Sequence, residues 1–336
     1  MSKTNNLPRT EFMVAIVAAL LSTAPICMAA TKVRLAQPTI AVMYAPLYFG
    51  AKQGIFTSEG LELEFMTMRT DLAIAALGAG EVDDIAHGGA ALRAAAQGFP
   101  LKLVFALDHK TPFWLAARAE LKNVAQLKGK KIGISFPADT PHIILKRFLR
   151  QRQIDPDRDV TYVAGQFSPI GLQSLLVGVL DAAVLAPPFN VLAEEKGLNL
   201  LSYLGQSVPD AAVSNGIVTS DQKIKSRPEE VQRMVRASLK ALYAYRRDKL
   251  AAIEFLAGHF EISAKTAAKV YPNAVDILTS DGQISQEKLR QILDMMQDTG
   301  RKEPSSILPN ELLNFSFLHA AQKEIAAAAS GAKRLR

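Results

Sequence analysis

Two copies of one unit stand 98 residues apart in this sequence, and that repeat restricts the possible folds more than any figure of composition. Gly80-Glu81-Val82-Asp83-Asp84-Ile85-Ala86 resembles Gly178-Val179-Leu180-Asp181-Ala182-Ala183-Val184 at this offset. The same offset sets Val33-Arg34-Leu35-Ala36 on Lys131-Ile132-Gly133-Ile134 and Glu62-Leu63-Glu64-Phe65 on Val160-Thr161-Tyr162-Val163. After a slip of one residue, Ala96–Leu101 falls on Glu195–Leu200. Each copy reads strand, loop, helix, strand, loop, helix, strand, helix, strand. Helical stretches such as Ala90–Gln97 and Pro141–Gln151 alternate with short apolar strands, an order that builds right-handed crossovers and a mostly parallel sheet. Any two α/β units look alike element by element; one offset holding across four segments marks these two as equivalent architecture.

The repeat does not exhaust the 336 residues, and single cores stop growing at roughly 250–300 residues, so two lobes are expected. The second unit ends near Tyr203-Leu204-Gly205, and Asn215–Ser220 reads as one more strand. Beyond Pro228 the chain is mainly helical, with Val231, Met234, Val235, Leu239 and Leu242 at helical spacing. One strand and several helices cannot build a third sheet domain, so they return to complete the first. The expected division is residues 30–116 and 213–325 for lobe one, 117–212 for lobe two, and a frayed tail at 326–336.

The front of the chain has its own layout. Residues 1–11 are polar and carry Lys3 and Arg9; Phe12–Leu21 is wholly apolar; Ser22, Thr23, Ala24 and Pro25 break the run before Cys27-Met28-Ala29. A basic start, a short apolar run and small residues before a cut describe a secretory signal peptide over residues 1–29. Ten apolar residues are too few to span a bilayer, which takes about 20. Ile26 occupies the place where a lipoprotein signal needs a small residue. Cleavage after Ala29 removes Cys27, the single cysteine of the chain. A cysteine-free exported protein suits an oxidising compartment; disulfides and cysteine-bound metal are excluded. The periplasm is the expected location.

Ligands of open parallel sheets bind at the carboxyl ends of the strands, in loops leading into helices. The repeat places such loops at Gln37–Leu47, Met68–Leu72 and Ala86–Ala90 in lobe one. Their counterparts in lobe two are Ser135–Ile143, Gln166–Gly171 and Leu185–Asn190. The offset sets Tyr44 opposite His142, Thr70 opposite Ser168, and Gly88-Gly89 opposite Ala186-Pro187. Gly88 and Gly89 let backbone approach a ligand closely. Thr70, Ser135, Asp139, Thr140 and Ser168 stand at helix starts, where they cap, or offer polar atoms beside free N–H groups. Tyr44, Phe136, Phe167 and Phe189 suit a flat or apolar portion of a ligand. Single Ser, Thr and Asp residues at helix starts are more often plain caps, so the argument rests on six loops converging.

These loops sit within a familiar series. Tyr44-Ala45-Pro46-Leu47, Ala51-Lys52-Gln53-Gly54-Ile55-Phe56 and Glu59-Gly60-Leu61-Glu62-Leu63 resemble the opening of periplasmic solute-binding proteins of the nitrate/sulfonate/bicarbonate ABC-transporter type, a group that includes the NMT1/THI5-like and SsuA-like proteins. Leu127–Ile134, then Gly178–Val184 with Pro187-Pro188, are similar to the same family's second lobe. The resemblance implies an α/β type II periplasmic binding fold, with two lobes, two crossings and a cleft between. It implies a monomer that captures a small molecule by hinge closure and delivers it to an ABC permease in the inner membrane, without cofactor or metal. The ligand contacts it implies are Tyr44, Ala45, Thr70, Asp71, His87, Gly88, Gly89, Ser135, Phe136, Thr140, Ser168 and Pro187; His142 joins them from the offset. Asp71 and Asp139 would repel a simple oxyanion, so an organic solute of sulfonate, carboxylate, pyrimidine or aromatic type with a flat body and one polar end is expected.

Other chemistries find less support. A THI5-like enzyme of thiamine-pyrimidine synthesis is the alternative, but its cysteine-rich iron motif cannot exist in a chain that loses Cys27. Gly165, Ser168 and Gly171 lack the spacing of a nucleophile elbow. Neither Gly78-Ala79-Gly80 nor Gly129-Lys130-Lys131 completes a nucleotide loop. Asp83, Asp84 and His87 are interrupted by strand alternation, and His109, His142, His259 and His319 show no ligand pairing. The basic run Lys146–Arg152 reads as a solvated helix face, and the net charge of +7 is diffuse; nucleic acid is not expected.

Overall fold

The computed structural model describes residues 30–208, 215–294 and 309–334 of the chain. Residues 1–29, read as a signal peptide, lie outside the described residues. The first run of elements is β1 (Thr31–Gln37), α1 (Ala45–Lys52), α2 (Ile55–Ser58), β2 (Leu61–Thr67), α3 (Thr70–Ala79), β3 (Asp84–Ile85), α4 (Gly88–Ala95) and β4 (Leu101–Ala106). The second is β5 (Trp114–Ala117), β6 (Lys130–Gly133), α5 (Thr140–Gln151), β7 (Val160–Val163), α6 (Ser168–Leu176), β8 (Ala182–Leu185), α7 (Phe189–Glu195), β9 (Asn199–Tyr203) and α8 (Leu204–Ser207). After β10 (Gly216–Ser220) come α9 (Asp221–Ser226), α10 (Pro228–Arg247), α11 (Lys249–His259), α12 (Ala264–Ile277), α13 (Gln286–Asp294) and α14 (Ser316–Arg334).

The strands form two sheets of one design, ordered β2-β1-β3-β10-β4 and β7-β6-β8-β5-β9. In each, the first three strands are parallel and the fourth runs antiparallel to both neighbours. That fourth strand lies outside the repeated run: β10 returns to lobe one from beyond lobe two, and β5 enters lobe two ahead of its repeat. The sequence boundary at residue 116 therefore needs correcting. It cuts through β5, whose Trp114 and Leu115 pair with Leu185 and Val184 of the second sheet, so the first crossing covers residues 107–113. An apolar tetrapeptide carries no local sign of which sheet it will fill. The second boundary, at 212, falls among residues 209–214, outside the described ones.

Both faces of each sheet are covered, and the strands buried throughout, such as β5 (Trp114–Ala117) and β8 (Ala182–Leu185), are unbroken apolar runs. In lobe one Val33 and Leu35 pack with Leu47, Met234 and Tyr245 of α1 and α10, while Ala36 faces Leu77, Leu92 and Leu289 of α3, α4 and α13. In lobe two Ile132 packs with Ile143 and Phe148 of α5, and Ala183 with Leu172 and Leu175 of α6. The long helix α10 begins with Pro228 and two glutamates and ends with Arg246 and Arg247, charges matched to its dipole. The tail at 326–336 departs from expectation: α14 runs helically to Arg334, through an alanine run of the highest helix propensity.

Asp83 and Asp84 hold cations of lobe one rather than facing His87. Asp83 accepts from Arg34 at 2.9 Å and Arg227 at 3.1 Å, and Asp84 pairs with the buried Lys223 at 2.8 Å.

Candidate ligand site between the lobes

All six strand-end loops meet around one cavity between the lobes, of about 850 Å³ and partly open to solvent. Pro38–Ala41, Met43 and Tyr44 come from the loop after β1, Thr70 from the start of α3, and His87 from the turn before α4. Lobe two supplies Ser135, Phe136, Asp139, Thr140 and Pro141 after β6, Gln166–Pro169 after β7, and Ala186, Pro187 and Phe189 after β8. The crossings add Phe113 and Asn215.

The hydroxyls at equivalent helix starts do equivalent work. Thr70 Oγ1 is 2.7 Å from His87 Nδ1, and Ser168 Oγ accepts the Ala186 N–H at 3.0 Å. Each ties the first residue of one helix to the end of the following strand. Neither is an N-cap: those places belong to Arg69 and Phe167, without a side-chain bond. Burial, with help from Arg93, lowers the His87 pKa to about 4, so a neutral imidazole faces the cavity at pH 7.

Asp139 is the one capping residue of the set. Its Oδ1 accepts the His142 N–H at 3.0 Å, and its Oδ2 accepts from the Phe136 N–H and the Ser135 hydroxyl. Burial outweighs these bonds and pushes its pKa up to about 6, leaving it largely ionised at neutrality. Phe136 meets Phe167 edge-on at 5.0 Å, and the Arg69 guanidinium lies 5.4 Å from the Phe136 ring across the lobes. Arg93 of α4 reaches over similarly and donates to Thr140 Oγ1 at 3.2 Å.

Five expected contacts lie off the inner cavity wall. Ala45 belongs to the lobe-one core, because α1 turns it under the sheet. Asp71 is exposed and paired with Arg69 at 2.7 Å, and that partner holds its carboxyl below the usual range. Gly88 and Gly89 are helical residues whose neighbour is protein: a Cβ on Gly89 would lie 3.5 Å from Thr140 Oγ1. His142 points into lobe two, where Nδ1 accepts the Ala138 N–H at 2.9 Å and the ring meets Tyr162 at 4.5 Å. The others, Tyr44, Thr70, His87, Ser135, Phe136, Thr140, Ser168 and Pro187, line the inner wall.

Phe113 and Asn215 had no sequence signal as wall residues, since neither lies in a repeated loop. Asn215 is central: its Oδ1 accepts the Tyr44 hydroxyl at 3.2 Å, while its backbone N–H donates to Asp108 Oδ1 at 2.7 Å and its amide to Asp108 Oδ2. The cavity wall is thus bonded to both crossings.

A family profile described as NMT1/THI5 like matches residues 42–248, more than half of the chain. The chain belongs to the NMT1/THI5-like family. A curated relative, the riboflavin-binding protein RibY of Chloroflexus aurantiacus, is 26% identical over 208 residues, which cover 60% of this chain and 58% of RibY. The chain therefore matches under two thirds of that relative's length. Among solved structures it is similar to the alkanesulfonate-binding protein SsuA from Xanthomonas axonopodis pv. citri bound to MOPS, with a TM-score of 0.69 and 17% identity over 84% of this chain and 98% of that one. It is also similar to the desulfurization enzyme DSZB, solved as a mutant in complex with biphenyl-2-sulfinic acid, with a TM-score of 0.65 and 14% identity over 88% and 99%. At these identities the likeness shows the fold, that of type II periplasmic binding proteins: two α/β lobes, two crossings and a cleft.

Proposed function

We propose that this chain is the periplasmic substrate-binding protein of an ABC importer, a monomer that closes around a flat, uncharged heteroaromatic solute and hands it to an inner-membrane permease. The observation that carries the reading is the composition of the wall. Tyr44, Phe113, Phe136, Phe167 and Phe189 line it, and among the described residues no lysine or arginine does, whereas Asp139 is present. A sulfonate or carboxylate enclosed there would lose its hydration without meeting a countercharge, which is costly. A ring gains aromatic contact on its faces, and Thr70, neutral His87 and Gln166 suit polar groups on its edge. Because the walls belong to both lobes, a ligand contacts all of them only when the lobes are together, so binding shifts the population toward closure.

The name of RibY makes riboflavin the first solute to try. Thermal-shift screening of residues 30–336 against riboflavin, pyrimidines, sulfonates and carboxylates tests the reading. Flat heteroaromatics are expected to raise the melting temperature and alkanesulfonates to leave it unchanged, with Phe136→Ala removing most of the rise. Stabilisation by sulfonates or carboxylates alone would overturn the ring, and no stabilising solute would overturn the binding protein. A chemically altered product in the same mixtures would favour an enzyme of the THI5-like kind.

A further inference from the structure

A second cavity, of about 1260 Å³ and open to solvent, adjoins the first and shares Thr70, His87, Phe136 and Asp139 with it. Its own wall differs in kind, adding Arg69, Asp71, Arg93 and Gln97 where the inner wall has rings. We infer that the cleft takes a bipartite ligand, whose flat head lies in the inner cavity and whose uncharged, hydroxylated tail lies in this outer one. The inference rests on the solute-binding reading above and extends it to the other end of the ligand.

Charge balance selects the tail. Arg69 is paired with Asp71 at 2.7 Å and its guanidinium is drawn over the Phe136 ring. Arg93 donates to Thr140, and its charge acts on the Asp139 carboxyl nearby. Two cations against two carboxylates leave little net field for a phosphate or carboxylate, and Arg69 would have to leave its pair with Asp71 to hold one. The same side chains present fixed N–H donors and carboxylate acceptors within one wall, and the exposed amide of Gln97 offers both. A hydroxyl is the group that donates and accepts at once, so a chain of hydroxyls matches this wall without uncovering a charge. The outer wall is also built from both lobes, with Arg69, Asp71, Arg93 and Gln97 from lobe one and Phe136–Asp139 from lobe two, so a tail held there adds to closure.

Isothermal titration of the mature chain with three compounds of one ring system tests this: lumiflavin (the ring with only a methyl group in place of the tail), its ribityl relative, and the 5′-phosphate of the latter. The ribityl compound is expected to bind at least tenfold tighter than lumiflavin, consistent with two or three net hydrogen bonds, and the phosphate no tighter than the ribityl compound. Gln97→Leu, at an exposed position, is expected to narrow the gap between ribityl compound and ring, with the ligand-free melting temperature as the check on folding. Equal binding of ring and ribityl compound overturns the tail subsite and leaves the solute-binding reading standing. Tighter binding of the phosphate overturns the uncharged tail. Binding of sulfonates or carboxylates in place of all three overturns the flat head and this inference with it, while no binding of any solute removes the underlying reading.

Discussion

Asp108 has no exposed surface and sits where the chain leaves lobe one, with both carboxylate oxygens taken by Asn215. Burial nonetheless pushes its pKa up to about 8. The folded protein then holds a proton that the unfolded chain releases near pH 3.8, so this group lowers stability as pH rises between those values. Asp139, raised to about 6, acts in the same direction at lower pH. His87 and His142, lowered to about 4 from 6.5, oppose them, since folding excludes their protons and stability rises with pH through that window. Above about pH 6.5 only Asp108 of these four still titrates, and at about 1.4 kcal/mol per pH unit for one proton it should remove about 1–2 kcal/mol by pH 8. Urea midpoints at the two pH values should show this fall in the wild type and a flattened one in Asp108→Asn; an equal fall in both would assign it elsewhere. Nothing in the sequence marks Asp108, because its partner Asn215 is 107 residues away and neither belongs to a repeated loop. His142 shows the opposite failure. The repeat set it opposite Tyr44, but the Asp139 cap and the turn at Ala138 (φ 61°) swing it inward, and an offset carries backbone position without side-chain direction.

Elements were more legible than side chains, because alternation and repeat spacing are properties of runs. Equivalent places for β1 and β6, β2 and β7, and α3 and α6 follow from one offset; the seat of β5 does not, since its partners are chosen across the fold. Glycines divide along the same line. Gly89 reads as a residue needed for close approach, yet a Cβ there would meet Thr140 and Arg93 at 3.5 and 3.7 Å, ordinary contact distances. Gly50, in the middle of α1, carries no turn signal, but a Cβ would lie 2.5 Å from the Ala241 Cβ on α10 and 2.9 Å from Phe56. The contact of α1 with α10 depends on that missing methyl. Gly50→Ala should therefore destabilise by about 1–3 kcal/mol, the usual cost of overpacking. Gly89→Ala should change stability by less than about 1 kcal/mol, since helical alanine gains what it loses in mild crowding. Chemical denaturation of the two variants checks the contrast, and equal losses would mean that helix packing is not what sets the cost.

At the scale of the whole molecule, the lobes are joined by the crossings, by Ala186 and Val191 of lobe two packed into the lobe-one core, and by a few polar bridges. Across the cleft mouth these are Arg69 over Phe136 and Arg93 on Thr140; farther along, Glu195 of α7 accepts from Thr266 and Lys269 of α12, each at 2.9 Å. A hydrogen bond contributes about 0.5–1.5 kcal/mol net and an exposed ion pair about 0–1. In the hinge closure proposed above, polar bridges of this kind would favour the closed form only modestly before a ligand arrives. That is the condition in which binding can move the population, because a state already filled offers nothing to shift. Removing one bridge should then open the ligand-free protein measurably. Thr140→Val keeps the volume of the side chain but deletes the acceptor of Arg93, and losing about 1 kcal/mol would move the open-to-closed ratio roughly fivefold. Small-angle scattering of the ligand-free chain should accordingly give a larger radius of gyration for Thr140→Val than for the wild type. Saturating solute should contract both toward one value, with weaker apparent affinity for the variant by a similar factor. A wild-type radius unchanged by a bound solute would exclude hinge closure, and an unchanged variant radius would place the balance of open and closed forms in the crossings, where Asp108 and Asn215 meet, and not in the bridges at the mouth.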